Sequence, residues 1–206
     1  MSIEKETSAF WKGEFGDEYV QRHDAPRLVP AKRFQFQTML RNTHGISSIM
    51  ELGTNQGFNL KVLHEQFPEA ELHGVEINEN AAAMARKVQG VESITCASLL
   101  EVPVDRVYDL SFTAGVLIHI APEVLPKAYQ KLYDFSRKFI LLSEYHNTSP
   151  QEIEYRGHRN RMFMRDFAGE LLDSYADLRL LDYGFFYKRD PRYGLGDINW
   201  FLMEKG

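Results

Sequence analysis

The sequence predicts an α/β fold, a doubly wound and mostly parallel sheet with an antiparallel C-terminal hairpin strand and an N-terminal helical lid. Three observations predict it. From Ile46 onward, strand-like apolar runs alternate with helical periodicity, which implies parallel strands joined by right-handed crossovers. The stretch IMELGTNQGFNL, residues 49–60, reads as a buried strand, a tight glycine turn and the first turn of a helix. Near the C-terminus two strands are joined by the short loop PRYGLG, and such a pair puts an antiparallel strand into a parallel sheet.

In chain order, residues 1–45 read as a helical cap and 46–206 as the α/β core of a single domain. TSAFWKGEFGDEYVQRHD places aromatics near helical spacing but is interrupted by Gly13 and Gly16. APRLVPAKRFQFQTMLRNTHG puts Leu28, Phe36, Met39 and Leu40 on one helical face, with Gly45 suited to a C-terminal cap. SSIMELG is the first strand, and FNLKVLHEQF is a helix ended by Pro68. AELHGVEIN is the second strand, and ENAAAMARKVQG is an alanine-rich helix ended by Gly90. SITCAS is the third strand, and VYDLSFTAGVLIHI holds the fourth strand and the turn after it. PEVLPKAYQKLYDFSRK is a helix and FILLSEYHN the fifth strand. YRGHRNRMF reads as a loop, MRDFAGELLDSYA as a helix, and LRLLDYGFFYKRD and DINWFLMEK as the terminal strands.

Composition excludes several classes. Twenty-four Lys and Arg against 29 Asp and Glu give a net charge of −5, without the basic footprint that nonspecific nucleic-acid binding needs. The single cysteine, Cys96, cannot form an internal disulfide; its apolar surroundings predict a small buried side chain and a cytoplasmic protein. MSIEKETSAF lacks a basic start followed by an apolar core, and no apolar run approaches the ~18 residues of a membrane helix. The histidines are scattered without a metal-ligand spacing, so no metal is required. A monomer or a homodimer is expected.

In such a sheet the ligand crevice lies beyond the carboxyl ends of the strands, here Gly53, Glu76, Ser98, Thr113 and Glu144. A dinucleotide loop would want glycine where Asn55 and Leu60 stand, so a diphosphate fits poorly and an NAD-linked oxidoreductase is disfavoured. Gly53 and Gly57 still allow a close approach of backbone to ligand. Glu76 ends the second strand nineteen positions beyond Gly57, where a carboxylate can accept both hydroxyls of a ribose. Glu51 is a second acid near the loop. The site therefore suits a nucleoside with a small polar tail and no diphosphate, and S-adenosylmethionine is such a molecule.

ELGTNQG, GVEIN and YDLSFTAGVLIHI, followed by a strand and a C-terminal hairpin, resemble a class I S-adenosylmethionine-dependent methyltransferase over roughly residues 46–206. The resemblance implies the Rossmann-like methyltransferase fold, with Ile77, Ala97 and Gly115 joining the strand-end residues at the cofactor. That class often has an acid near the adenine, and here the stretch CASLL offers the hydroxyl of Ser98 instead. FWKGEFGDEYVQRH, GVLIHIAPE and YRGHRNRMFMRDFAGE resemble more narrowly the small methyltransferases associated with pseudaminic-acid and related surface-sugar biosynthesis. This narrower resemblance implies a sugar, nucleotide-sugar or related small-molecule acceptor in bacterial surface-glycan synthesis. The alternative is a protein that binds S-adenosylmethionine or a nucleotide sugar without turnover.

Further residues are expected at the site. Trp11, Phe15 and Tyr19 either pack the N-terminal helix on the sheet or, with residues 1–23, close as a lid over the cofactor; Arg22, sharing a face with Tyr19, would pair with the methionine carboxylate. His119, just past the fourth strand, or Glu144 would be the general base for a hydroxyl. Tyr145 and His146 lie past the fifth strand on the crevice side. Tyr155, Arg156 and Arg159, near His158 and Arg161, are either a solvated loop or a clamp for an anionic group of the acceptor.

Overall fold

The computed structural model describes residues 3–22 and 25–206; Met1, Ser2, His23 and Asp24, which the expected lid and cap include, lie outside the described residues. Three helices come first: α1 (Ile3–Lys12), α2 (Glu14–Gln21) and α3 (Ala25–Met39). The core then alternates β1 (Ser48–Leu52), α4 (Phe58–Gln66), β2 (Glu71–Glu76), α5 (Glu79–Ala85), β3 (Val91–Cys96), β4 (Tyr108–Ala114), α6 (Leu125–Phe135) and β5 (Ser136–Glu144). A hairpin of β6 (Gln151–Tyr155) and β7 (His158–Met164) comes next, then α7 (Phe167–Ser174), β8 (Leu178–Phe186) and β9 (Ile198–Lys205).

Seven strands form one sheet in the order β3-β2-β1-β4-β5-β9-β8. β1 to β5 are parallel, and β9 is antiparallel to both β5 and β8. The order reverses between β1 and β4, and that switch point opens the ligand crevice.

Successive residues of the central strands point to opposite faces, and both faces are buried. Ile49, Leu110 and Leu141 join Phe36, Leu60 and Ala82 from α3, α4 and α5 in one core. Met50, Ile140 and Leu142 join Leu125, Leu132 and Leu171 from α6 and α7 in the other. At the end of the sheet away from the crevice, Asp109 accepts from the Ser47 and Ser48 backbone N–H groups at 2.8 and 3.1 Å and pairs with Arg137, which pins β1 to β4 and β5.

Several expectations are corrected. Cys96 is exposed, because β3 is an edge strand and its neighbours leave one side open. Gly45 has a positive φ of 66° but lies six residues past the end of α3, so it shapes the approach to β1 and caps no helix. α6 stops at Phe135 and β5 begins at the next residue, which shortens the expected helix by three positions. The YRGHRNRMF segment is no loop: it makes the turn and second strand of the β6–β7 hairpin. Its turn residues Arg156 and Gly157 both have positive φ, 51° and 83°.

Candidate functional site

β1 delivers the chain into a loop in which Gly53, Asn55 and Gly57 all adopt the left-handed region, with φ of 87°, 51° and 81°. Gly53 and Thr54 both donate to the carbonyl of Val75, at 2.8 and 3.0 Å, so the loop folds against the end of β2. A Cβ at Gly53 would run into the side chain of Val116, which explains glycine there. Asn55 tolerates its left-handed backbone better than most residues. That conformation aims its N–H at Glu76 Oε2, 2.7 Å away.

Glu76 is 8% exposed, and its other oxygen accepts from the Asn78 N–H at 2.8 Å. Burial raises its pKa, and the backbone N–H groups of Asn78, Asn55 and Ile77 oppose that rise. Each oxygen keeps a second lone pair for a ligand hydroxyl. The carboxylate is thus held rigidly at the strand end with its accepting capacity half spent.

The crevice over this loop encloses about 930 Å3 including its open mouth. Trp11, Tyr19, Gly53, Asn55, Glu76, Ile77, Ala97, Ser98, Gly115 and His119, all expected at the site, line it together. Among the described residues that line it, Glu76 is the only acidic or basic side chain besides His119.

Four residues expected at the cofactor do not line it. Arg22 is exposed and pairs with Glu18 at 2.8 Å, one helical turn back. Gly57 caps α4 and packs against Ala85 and Val88. Thr113 is wholly buried in β4. Glu51 lies beneath the loop, also wholly buried, where Oε1 accepts from Asn59 Nδ2 at 2.6 Å. Asn59 Oδ1 in turn accepts from Lys32 Nζ at 2.6 Å, which ties α3 to the head of α4. Burial pushes Glu51 up and Lys32 down, each toward its neutral form.

The roof has two parts. α1 and α2 contribute Thr7, Ser8, Trp11 and Tyr19 to the lining. The rings of Phe10 and Phe15 stack at 4.0 Å, and His158 of the hairpin stands edge-on to Phe10 at 5.0 Å. Trp11 and Tyr155 lie 4.7 and 4.9 Å from the His119 ring. Helix α2 is fastened to the core by Asn78 Nδ2 and Asn80 Nδ2, which donate to Asp17 Oδ1 at 2.9 and 2.8 Å, and by Gln56 Nε2, which donates to the Val20 carbonyl at 2.5 Å. The two lid glycines have separate reasons. Gly13 is the break between α1 and α2, and Gly16 is buried where a Cβ would meet the Trp11 carbonyl and the Asn78 amide.

His119 sits in a short 3₁₀ turn after β4, 9% exposed. Its Nδ1 lies 2.6 Å from the Arg161 carbonyl of β7. A carbonyl only accepts, so Nδ1 carries the hydrogen and Nε2 is left with the lone pair. Burial lowers the pKa to about 4, so the ring is neutral at neutral pH.

Glu144 does not face the crevice. It is 3% exposed, and Oε1 accepts from the Val116 and Leu117 N–H groups at 3.0 and 3.2 Å. Burial pushes it up to about 7. Of the two residues expected as base, only His119 lines the crevice. Tyr145 and His146 lie outside the lining: the Tyr145 hydroxyl packs by Gly196, and His146 packs on Phe201 with Nδ1 3.7 Å from Asp166. Arg156 lies over the Tyr155 ring at the exposed hairpin tip, Arg159 is exposed, and Arg161 folds back over Phe10. These arginines do not converge into a clamp.

Thr7, Ser8, Leu99 and Val124 line the crevice without having been expected. Thr7 and Ser8 stand four and three positions before Trp11, so helical spacing places them beside it. Among the described residues no group of three His, Cys, Asp or Glu is placed to hold a metal, and no helix is long and apolar enough to cross a membrane.

Residues 49–138 match the family model of a methyltransferase domain. A malonyl-[acyl-carrier protein] O-methyltransferase of Anoxybacillus flavithermus is 33% identical over 81 residues, 38% of this chain and 31% of that protein. The chain thus spans about a third of the length of that curated relative. A 1,6-didemethyltoxoflavin-N1-methyltransferase of Burkholderia thailandensis, solved with its acceptor and S-adenosylhomocysteine, superposes with a TM-score of 0.77 at 15% identity, over 100% of this chain and 91% of that one. A magnesium protoporphyrin IX methyltransferase of Synechocystis PCC 6803, solved with S-adenosylhomocysteine, gives 0.73 at 13% identity over 100% of both chains. The chain therefore has the fold of the class I S-adenosylmethionine-dependent methyltransferases, and residues 49–138 within it match the methyltransferase-domain family.

Proposed function

We propose that this chain is an S-adenosylmethionine-dependent methyltransferase acting on a small molecule. The observation that carries the reading is Glu76, a buried carboxylate at a strand end, held by the Asn55 and Asn78 N–H groups and lining the crevice over the glycine loop. Relatives of the same fold, solved with S-adenosylmethionine or its demethylated product, support it. When bound, the sulfonium supplies an already activated methyl group. The chain's own work is then alignment and exclusion of water. Glu76 holds the ribose, Ser98 offers a hydroxyl to the adenine edge, and Trp11 and Tyr19 close the roof. His119 Nε2 takes the proton that an acceptor hydroxyl loses; an amine acceptor would need only to be unprotonated.

Calorimetry with S-adenosylhomocysteine tests the reading. Glu76→Gln keeps one accepting oxygen and should weaken binding less than Glu76→Ala, which should cost about 2–4 kcal/mol. The same dissociation constant for wild type and both variants would remove the assignment.

The narrower reading is a sugar or nucleotide-sugar acceptor in bacterial surface-glycan synthesis. What supports it is that the three segments resembling that group meet over the crevice, through Trp11, His119 and Tyr155. A methyl-release screen over a panel of nucleotide sugars should then find turnover. Turnover confined to acceptors without a sugar would defeat this reading and leave the broader one standing.

A further inference from the structure

We propose that Glu144 is a positioning residue, whose carboxylate grips the turn that carries His119 and so presents Nε2 to the crevice in a single tautomer. The inference rests on the methyltransferase reading for its purpose, and on the geometry of that turn for its content. β4 ends at Ala114; the Gly115 N–H still reaches the Ser143 carbonyl at 2.9 Å, and Gly115, with φ of 73°, then turns the chain. The next two N–H groups, of Val116 and Leu117, begin the 3₁₀ turn and have no partner inside it. Both are taken by Glu144 Oε1. A carboxyl oxygen at the start of such a turn satisfies its orphan donors.

The turn so held touches both halves of the site. Val116 packs where a Cβ at Gly53 would lie, so its place sets the room above the cofactor loop. Three residues on, His119 meets the Arg161 carbonyl with Nδ1 and lies between the rings of Trp11 and Tyr155. The hairpin carbonyl selects the tautomer, but only if the ring is delivered to it at 2.6 Å. Glu144 acts through the backbone to make that delivery. Glu144 is absent from the crevice lining, so it acts on the site through the turn that Oε1 holds.

Nitrogen NMR of this chain with labelled histidine tests this directly, and His119→Gln identifies the resonances. Wild type at neutral pH should show one protonated and one bare ring nitrogen for His119. Glu144→Gln keeps an accepting oxygen at the same reach and should keep that pattern. Glu144→Ala should bring the two nitrogen shifts together toward the tautomeric average. Glu144→Asp keeps the charge but withdraws it by one methylene, and should do the same, which decides the matter if the alanine variant does not fold. Wild-type shifts in folded Glu144→Ala or Glu144→Asp would overturn the proposal, as would collapse of the pattern in Glu144→Gln. Calorimetry with S-adenosylhomocysteine on the same samples separates the readings. Wild-type protein that fails to bind it argues against the methyltransferase and leaves the histidine result intact.

Discussion

At the scale of single residues, the polar side chains divide by which end of the sheet they occupy. At the crevice end, Glu51, Glu76 and Glu144 are buried and driven toward their protonated forms. At the far end, Asp109 behaves in the opposite way. Burial alone would raise its pKa, but hydrogen bonds from Ser47 and Arg137 hold it at about 2. The sign comes from linkage: the unfolded chain binds this proton at higher pH than the folded chain. Asp109 therefore stabilises the fold above pH ~4, and that contribution, about 2 kcal/mol, is lost as pH falls toward 2. Asp109→Asn should be less stable than wild type in urea at pH 7, with the gap narrowing by pH 3. A gap independent of pH would show that the carboxylate's charge is not what matters. Glu76 was legible in the sequence because the end of a strand and the distance from a glycine loop are both linear features. The Lys32–Asn59–Glu51 chain was not, since only packing brings α3 beneath the loop. Cys96 was misread because an edge position depends on what neighbours a strand, which its own letters do not record.

At the scale of elements, strand and helix order could be read off hydrophobic period, and the departures have local causes. The β6–β7 hairpin escaped because its turn uses Arg156–Gly157. Two-residue hairpin turns of this kind need positive φ at both positions and usually advertise it with Asn-Gly. The lid was visible as a broken aromatic helix, while its fastening was not. Gly16 shows how close the fastening is: a single Cβ would press on the Trp11 carbonyl and the Asn78 amide that also serves Asp17. Gly16→Ala should therefore lift α2 from α5 and weaken S-adenosylhomocysteine binding several-fold. The thermal midpoint of the core should fall little, because both large apolar clusters lie elsewhere. Unaltered affinity in a folded variant would mean that α2 is a passive cover.

For the whole molecule, the class of fold came from alternation and the terminal hairpin, and the switch point between β1 and β4 came from the fold. The face that the hairpin and helices α1 and α2 present to one another did not, because the aromatic contacts join residues about 150 positions apart, as between Phe10 and His158. The place of β9 has its own consequence. It lies between β5 and β8, so a strand made after β8 is an interior one, hydrogen-bonded on both sides. During synthesis β8 emerges before its only sheet partner exists. It can join the sheet only once Ile198–Lys205 has followed it, and even then Tyr183 and Phe185 stay exposed on its open side. The attachment of β8 to the parallel strands therefore runs wholly through β9, so a break in the β5–β9 ladder frees two strands and not one.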